Sequence, residues 1–263
     1  MARARPHTNA PSRDTQALQA PLPSERGVFD LAAPFRVRLH PVNGLTIKAR
    51  SIARQIGLLP LIQRMRPNGP YEAEFGKALV DAVRRGDVVW DVGANVGFYT
   101  RQFIDRVGPT GKVVAFEPEP SCYGILRRDC GSATIVNVAL SDRTSEGFME
   151  AHPEPRSGTH HVVAAPTPTA IPVKLIAGDD FQGPCPNLMK IDVEGFEDEV
   201  LTGMPRILAD HRLRAIFLEV HFALLEQRGK AMAPLLIERK LRTLGFHTTW
   251  FRNRSHLKAL RLE

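Results

Sequence analysis

The chain of 263 residues contains few cysteines and no long apolar segment. No uninterrupted apolar run approaches the ~18 residues of a membrane-spanning helix, so an integral membrane protein is not expected. The basic N-terminus lacks the apolar core of a secretory signal. Three cysteines, at 122, 130 and 185, show neither CxxC pairing nor metal-ligand spacing, which argues against a disulfide framework. We therefore expect a cytoplasmic protein with reduced thiols.

The net positive charge of the chain lies after residue 227. Residues 228–263 contain nine Lys and Arg against two Glu, and this excess of seven equals the net charge of the whole chain. A basic segment suits an anionic substrate, a membrane surface or nucleic acid. The alternative is the solvated outer face of a helix and edge strands. We expect no nucleic acid partner, and we retain peripheral membrane contact through residues 228–263.

The pattern along the chain predicts three regions. Residues 1–26 are rich in Pro, Ala and Arg without periodicity and are predicted to be a disordered basic arm. Residues 27–70 combine alternating runs around Asn43-Gly44 with helical segments, which predicts a small N-terminal β-hairpin and a helical lead-in. The main domain is predicted over 71–263.

The main domain alternates short apolar runs with helical patterns, which is typical of an α/β fold with a mostly parallel sheet. Residues 146–176 interrupt this pattern and predict an irregular insertion, such as a hairpin or a lid. The last two β-prone segments predict an antiparallel pair that completes a seven-stranded sheet with helices on both faces. Strands are predicted at 88–92, 112–117, 134–140, 188–192, 215–220, 246–251 and 257–262, and helices at 72–85, 98–107, 120–130, 197–201, from 205, and at 232–244.

The run from residue 88 to 118 is the most informative part of the sequence. A strand ends in a glycine-containing turn, and the next strand ends in the acid Glu117. Glycines let a ligand approach the backbone closely, and the acid suits the two hydroxyls of a ribose. This predicts an adenosine-type cofactor, with the turn and the acid as its binding residues: Asp91, Gly93, Ala94, Asn95, Gly97 and Glu117.

The turn differs from the G-x-G-x-x-G fingerprint of dehydrogenases, because Asn95 stands where the middle glycine is expected. A carboxylate such as Asp91 would repel a pyrophosphate but tolerate a cationic ligand. We therefore favour S-adenosylmethionine, with an NAD-dependent oxidoreductase as the alternative. Ser141 and Asp142, after the third predicted strand, either contact the adenine ring or form a turn that ends the strand.

A second group of charged residues follows the fourth predicted strand. Lys190, Asp192 and Glu194 lie around its carboxyl end, and His221 follows the fifth strand. Parallel strand ends meet at one edge of a sheet, so these four are the candidate catalytic residues. Asp192 is the preferred general base and His221 the second candidate. The alternatives are a structural ion pair for Lys190 and a helix cap for the acids.

Other polar residues give weaker signals. Asp179 and Asp180 suggest a cation site with Asp192, but no further ligand stands at a diagnostic spacing, so no metal site is predicted. His160 and His161 in the insertion are predicted to be exposed to solvent.

The four motifs Asp-Val-Gly-Ala-Asn-Val-Gly (91–97), Phe-Glu-Pro (116–118), Asn-Val-Ala-Leu-Ser-Asp (137–142) and Lys-Ile-Asp-Val-Glu-Gly (190–195) together resemble the FkbM family of S-adenosylmethionine-dependent methyltransferases. The resemblance covers residues 70–225. It implies a Rossmann-like class I methyltransferase fold and O-methylation of a small-molecule or glycan acceptor. A non-enzymatic basic binding module is the third hypothesis.

Overall fold

A computed structural model of the protein describes residues 70–150, 160–163, 166–251 and 255–262. The predicted basic arm over 1–26 lies outside the described residues. The hairpin and lead-in predicted over 27–70 also lie outside them, apart from residue 70, which begins the first helix.

Helices and strands alternate along the described residues. The helices are α1 (Pro70–Ala82), α2 (Phe98–Val107), α3 (Pro120–Asp129), α4 (Glu197–Thr202), α5 (Pro205–Ala209), α6 (Phe222–Gln227) and α7 (Ala233–Thr243). The strands are β1 (Val88–Val92), β2 (Lys112–Phe116), β3 (Thr134–Val136), β4 (Ala139–Ser141), β5 (Ser145–Glu150), β6 (His161–Val163), β7 (Ala170–Ala177), β8 (Leu188–Ile191), β9 (Ala215–Glu219), β10 (Phe246–Trp250) and β11 (His256–Arg261).

Seven strands form the main sheet, in the order β10-β11-β9-β8-β1-β2-β3. The five strands from β9 to β3 run parallel, and β11 is antiparallel to both β9 and β10. The predicted α/β fold with a mostly parallel seven-stranded sheet is therefore confirmed. Strand order reverses between β1 and β8, so the carboxyl ends of these two strands flank the crevice where ligands bind in such sheets.

Both faces of the main sheet are covered by helices. Val89, Val113 and Phe217 face α1 and α2 and pack with Leu79 and Phe103. On the other face of the sheet, alternate residues of the parallel strands pack with side chains of α4, α5 and α7; they include Trp90, Val114 and Met189. Burial on both faces explains why the parallel strands are continuous apolar runs.

A second sheet has the order β4-β7-β5-β6. It contains the described parts of the segment predicted as an irregular insertion. Strands β5 and β7 pair antiparallel over six residue pairs, so this segment is more regular than the sequence indicated. Its buried residues, which include Met149, Val162 and Val173, pack against Phe196 just before α4.

The prediction of one strand over 134–140 is wrong, because the chain leaves the main sheet after β3 and continues as β4 in the second sheet. The side-chain amide of Asn137 donates to the carbonyl oxygens of Glu117 at 2.9 Å and Pro118 at 3.1 Å. These bonds hold the chain at the tip of β2, and β4 then pairs with β7 in the second sheet.

The basic C-terminal segment contains α7 and the predicted antiparallel pair, which is confirmed as β10 and β11. The short helix α6 directly follows His221 and was not predicted. No helix in the described part of the chain combines the length and the apolar character needed to cross a membrane.

Candidate active site

A cavity lies at the carboxyl ends of β1, β2 and β8, with the second sheet as its other wall. The main-sheet side and the turns that follow it contribute Val92, Gly93, Asn95, Phe116, Glu117, Pro118, Asp192, Val193, Glu194 and Phe196. The other side consists of Val138, Ala139, Leu140, Met149, His160, His161 and Val162. The structure thus brings the predicted turn, the predicted acid and two of the predicted catalytic carboxylates to one cavity.

The turn after β1 brings backbone to the cavity surface. Gly93 has a φ of 76°, and a Cβ at this position would collide with the backbone oxygen of Asp192. The amides of Gly93 and Ala94 donate to the carbonyl oxygen of Phe116 at 3.0 and 3.1 Å. Asn95, with a φ of 50°, follows in the left-handed region. Only glycine satisfies both the conformation and the close contact at position 93.

Besides Asp91, two residues of the predicted cofactor turn do not line the cavity. Ala94 is buried behind it. A Cβ at Gly97 would lie 2.8 Å from Cys130 Sγ and from a methyl carbon of Leu126, both in or next to α3. Gly97 is therefore required for packing of the turn against α3 rather than for contact with a ligand in this cavity.

Glu117 is buried at the tip of β2, and each of its carboxylate oxygens accepts one backbone hydrogen bond. The amide of Asn95 donates to Oε2 at 2.7 Å and the amide of Glu119 to Oε1 at 2.9 Å. Burial raises the pKa of Glu117 to about 7, although these two hydrogen bonds act in the opposite direction. A carboxylate oxygen can accept more than one hydrogen bond, so Glu117 retains acceptor capacity for a ligand in the cavity.

Asp91 and Lys190 lie beneath the cavity floor rather than in its lining. Lys190 Nζ donates to the carbonyl oxygen of Gly93 at 2.7 Å and lies 3.4 Å from Asp91 Oδ1 and 3.3 Å from Asp192 Oδ2. Thr100 donates to the other oxygen of Asp91. Burial favours the neutral amine, but Asp192 and Asp91 outweigh it and raise the pKa of Lys190. Lys190 is thus a fixed cation that orients Asp192 and the glycine turn.

His221 joins the candidate acids into one cluster. Its Nδ1 lies 2.7 Å from Oε1 of the buried Glu197, and its Nε2 lies 3.2 Å from Glu194 and 3.8 Å from Asp192. Burial alone would lower the pKa of His221, but the hydrogen bond to Glu197 and the charges of Glu194 and Asp192 raise it to about 10. His221 is therefore protonated near neutral pH and lacks the free lone pair that a general base needs.

The two acids that line the cavity beside His221 have raised pKa values. Burial raises the pKa of Glu194 to about 8, against the opposing charge of His221. Burial also raises the pKa of Asp192, although Lys190 lowers it in part. A raised pKa makes the ionised carboxylate a stronger proton acceptor. The structure therefore gathers Lys190, Asp192, Glu194 and His221 as expected, with the carboxylates facing the cavity.

Ser141 and Asp142 do not line the cavity, so their predicted contact with an adenine ring stays a prediction. They follow the chain into the second sheet, where the Ser141 hydroxyl donates to Asp142 and Asp142 pairs with Arg143. The neighbouring residues Val138, Ala139 and Leu140 line the cavity instead.

Asp179 and Asp180 form hydrogen bonds away from Asp192. Asp179 accepts hydrogen bonds from the backbone amides of Arg206 and Ile207 at the start of α5. Asp180 accepts a hydrogen bond from Thr144 at 2.6 Å. Both acids hold the turn after β7 in place.

Several residues of the site were missed or misjudged from the sequence. His160 and His161 were predicted to be solvent-exposed, but they are half-buried and line the cavity. Glu197 is fully buried and holds His221, and the amide of Gly195 donates to the same oxygen. The sequence signal for a role of His160 and His161 was their occurrence as a pair in a chain that also has an acid cluster at its strand ends. Sequence alone does not show that the insertion forms a wall of the cavity.

Two groups of potential metal ligands occur among the described residues: Asp192, Glu219 and His221, and Glu119, Cys122 and His160. In the first group, Asp192 lies 3.8 Å from His221 Nε2 and is paired with Lys190 at 3.3 Å. In the second, Glu119 caps α3 by accepting a hydrogen bond from the amide of Cys122, and burial raises the pKa of the Cys122 thiol.

The charge of the cavity limits the ligands that fit it. Three carboxylates, Glu117, Asp192 and Glu194, belong to its lining, and no Lys or Arg is found among the described lining residues. A pyrophosphate would require cations or free helix amides, whereas a cationic ligand with a ribose would find acceptors at both ends. These acceptor groups thus suit a positively charged nucleoside that has no phosphate.

Comparison with known proteins identifies the domain. A family model described as the methyltransferase FkbM domain matches residues 91–253. The chain is 32% identical over 180 residues to the hexuronic acid methyltransferase AglP of Haloferax volcanii, covering 65% of this chain and 70% of that protein. It is 40% identical over 55 residues to the methyltransferase sdnD of Sordaria araneosa, covering 21% of this chain and 18% of that protein.

Among solved structures, the chain aligns with a methyltransferase FkbM from Methylobacillus flagellatus KT at 12% identity and a TM-score of 0.47. The alignment covers 80% of this chain but only 60% of the length of that protein.

Proposed function

The chain belongs to the FkbM methyltransferase family, and from this premise we propose that it transfers a methyl group from S-adenosylmethionine to a hydroxyl of a sugar or glycan. Its similarity to a hexuronic acid methyltransferase supports a carbohydrate acceptor. The proposal depends on one observation: a cavity at the switch point of the sheet contains three carboxylates and, in its described lining, no Lys or Arg.

The residues around the cavity fit S-adenosylmethionine by their chemistry. Glu117 offers acceptor oxygens at the tip of β2, where a ribose diol would bind, and the backbone at Gly93 leaves room for close approach. Val138, Ala139 and Leu140 offer an apolar wall for a base ring. When ionised, Glu194 supplies negative charge that a sulfonium and an amino group would find favourable.

When bound, S-adenosylmethionine supplies a methyl group that is already activated by the positive sulfur. The protein then has to orient an acceptor hydroxyl and remove its proton. Asp192 lines the cavity and its raised pKa strengthens it as a base, so we assign it the proton of the acceptor hydroxyl. Lys190 and His221 fix the Asp192 carboxylate from two sides, at 3.3 and 3.8 Å. This arrangement keeps the base in one position without further reorganisation.

The two other functions considered for this sequence fit less well. An NAD-dependent oxidoreductase would place a pyrophosphate beside the carboxylates of the cavity, which is unfavourable. A purely basic binding module would not require the buried Lys190 to pair with Asp192, a residue of the cavity lining that also lies near His221, because burial of a charged group is costly without a purpose.

A transfer assay tests the proposal directly. The purified protein is incubated with S-adenosylmethionine that has a labelled methyl group and with a panel of acceptors: glucuronic acid, galacturonic acid, glucose and oligosaccharides that contain them. We expect label in a carbohydrate product as an alkali-stable methyl ether, whereas label in an alkali-labile methyl ester would contradict the hydroxyl acceptor. If the protein binds the cofactor but the label appears in protein, in nucleic acid or in no product at all, the proposal of a carbohydrate acceptor is contradicted.

A further inference from the structure

The outer face of α7 combines large apolar and basic side chains that are exposed to solvent. Met232, at the start of this helix, is 60% exposed, and Leu235 and Leu236 are 56% and 51% exposed. Arg239 and Arg242 are exposed on the same side, because positions three to four residues apart share one face of a helix. The opposite face consists of the buried residues Ala233, Pro234, Ile237 and Leu241.

The topology of the sheet places the apolar end of α7 at the edge where the cavity opens. Strand β11 is antiparallel to both β9 and β10, so β9 and β10 point in the same direction. Helix α7 precedes β10 and connects the carboxyl end of β9 to the start of β10, and therefore runs back along the sheet. Its first turn, which contains Leu235 and Leu236, lies at the carboxyl edge of the parallel strands.

A third apolar side chain connects this helix to the active site. Phe222 is 45% exposed and directly follows His221. Its ring centroid lies 5.8 Å from that of Trp250, whose indole nitrogen donates to Glu238 of α7 at 2.8 Å. Phe222 thus extends the exposed surface toward the catalytic cluster. We refer to Phe222, Met232, Leu235, Leu236, Arg239 and Arg242 as the apolar-basic face.

Charge decides which partner fits the apolar-basic face. Along α7 the basic residues Arg239, Lys240 and Arg242 outnumber the acid Glu238, which pairs with Arg242 at 2.8 Å. An anionic partner with an apolar layer beneath its charges matches both features.

We propose that the apolar-basic face binds the surface of an anionic lipid bilayer and holds the protein there peripherally. Leucine and phenylalanine side chains enter the boundary between headgroups and acyl chains, and Arg239 pairs with a lipid phosphate, while Arg242 remains bonded to Glu238 and Thr248. Because this face lies at the cavity edge of the sheet, binding turns the mouth of the active site toward the bilayer. The proposal depends on exposure and charge and not on the identity of the methyl donor.

Vesicle co-sedimentation tests the proposal with the full-length protein. Binding is measured to phosphatidylcholine vesicles that contain phosphatidylglycerol and to vesicles of phosphatidylcholine alone, at low and high salt. We expect binding to the anionic vesicles that weakens with salt. The double variant Leu235→Glu/Leu236→Glu should bind roughly tenfold more weakly or worse, and Arg239→Glu should lose binding chiefly to the anionic vesicles.

Two control variants change the same residue types at the opposite edge of the sheet. Leu262 is 70% exposed after the end of β11, and Lys112 is exposed at the start of β2. Leu262→Glu and Lys112→Glu should bind vesicles like the wild type. Circular dichroism and binding of S-adenosylhomocysteine should be unchanged in all four variants, which separates this test from that of the proposed function.

Three outcomes would overturn the proposal. The wild type could fail to bind anionic vesicles, or the two controls could lose binding as much as the face variants do. Light scattering could also show a dimer without lipid that Leu235→Glu/Leu236→Glu dissociates, which would make the face an interface between copies.

Discussion

Replacement of Glu117 by Gln should weaken the binding of S-adenosylhomocysteine by roughly ten- to a hundredfold. Glu117 is the acid at the tip of β2 and lines the cavity. A hydrogen bond to a charged acceptor contributes roughly 1.5–3 kcal/mol, and the glutamine keeps the shape of the side chain but removes the charge. The loss follows if the carboxylate accepts hydrogen bonds from a ribose.

The structure also predicts a cost in stability for this variant. Each oxygen of Glu117 accepts one backbone amide, from Asn95 at 2.7 Å and from Glu119 at 2.9 Å. A glutamine has a single acceptor oxygen, so its amide nitrogen would face one of these two donors. One buried amide without an acceptor costs about 1–3 kcal/mol of unfolding free energy.

The ionisation of Glu117 sets the conditions of the measurement. Burial raises its pKa from 4.5 to about 7, so the folded protein binds the proton more tightly than the unfolded chain does. This group therefore stabilises the fold fully only below pH 4.5, and its contribution is lost as pH rises through 7. We expect the affinity of the wild type for S-adenosylhomocysteine to rise between pH 6 and 8 as the carboxylate ionises.

Calorimetric titration at pH 8, where Glu117 is mostly ionised, measures the affinity, and urea unfolding measures the stability. The matched control is Glu119→Gln, because Glu119 is also buried and accepts the amide of Cys122 at 2.6 Å, but it does not line the cavity. The control should lose stability without losing affinity. Equal affinity of Glu117→Gln and the wild type would refute the role of Glu117 in ribose binding.

Further predictions concern the base, its neighbour and the glycine turn. Asp192→Asn should lower kcat by roughly 10²–10⁴-fold while the affinity for S-adenosylhomocysteine stays unchanged; an unchanged kcat in the transfer assay would exclude Asp192 as the base. Glu197→Gln should lower the pKa of His221 from about 10, because it removes the charge 2.7 Å from Nδ1; NMR titration of the imidazole measures this, and a pKa that stays near 10 would contradict the assignment. Gly93→Ala should destabilise the protein by about 3 kcal/mol or more in thermal unfolding, because of its positive φ and the collision with Asp192. The control Gly124→Ala, which meets no atom within 4 Å in α3, should be neutral or slightly stabilising, and equal loss in both would refute the argument.

Local sequence patterns were sufficient where secondary structure depends on residues close in the chain. The first strand over 88–92 and the helix over 98–107 have the bounds predicted for them, because a buried apolar run, a glycine turn and a glycine stop mark their ends. The order of motifs likewise predicted that Glu117 and Asp192 would meet at one edge of the sheet.

Contacts between residues far apart in the sequence explain where the predicted strands and site residues differ from the structure. The run 134–140 looks like one strand, but it is divided because Asn137 bonds to carbonyl oxygens that lie 19 and 20 residues earlier in the chain. That division moves Ser141 and Asp142 out of the cavity and brings Val138 and its neighbours into it. The six-residue helix α6 is too short for its periodicity to be recognised.

The protonation states of the site residues were the hardest feature to predict from the sequence. His221 was a reasonable general base as a single residue, but its pKa depends on Glu197, which is 24 positions away in the sequence and fully buried. Lys190 was a candidate for catalysis, and its role beneath the cavity follows from distances to Asp91 and Asp192. Such couplings arise only when the strands come together.

The central claim is that the cavity at the carboxyl ends of β1, β2 and β8 binds a cationic adenosyl compound without phosphate. Titration of the full-length wild-type protein with S-adenosylmethionine and with NAD, in the same buffer at pH 8, tests this most directly. The account predicts saturable binding of S-adenosylmethionine and none of NAD. Binding of NAD, with no binding of S-adenosylmethionine, would contradict it.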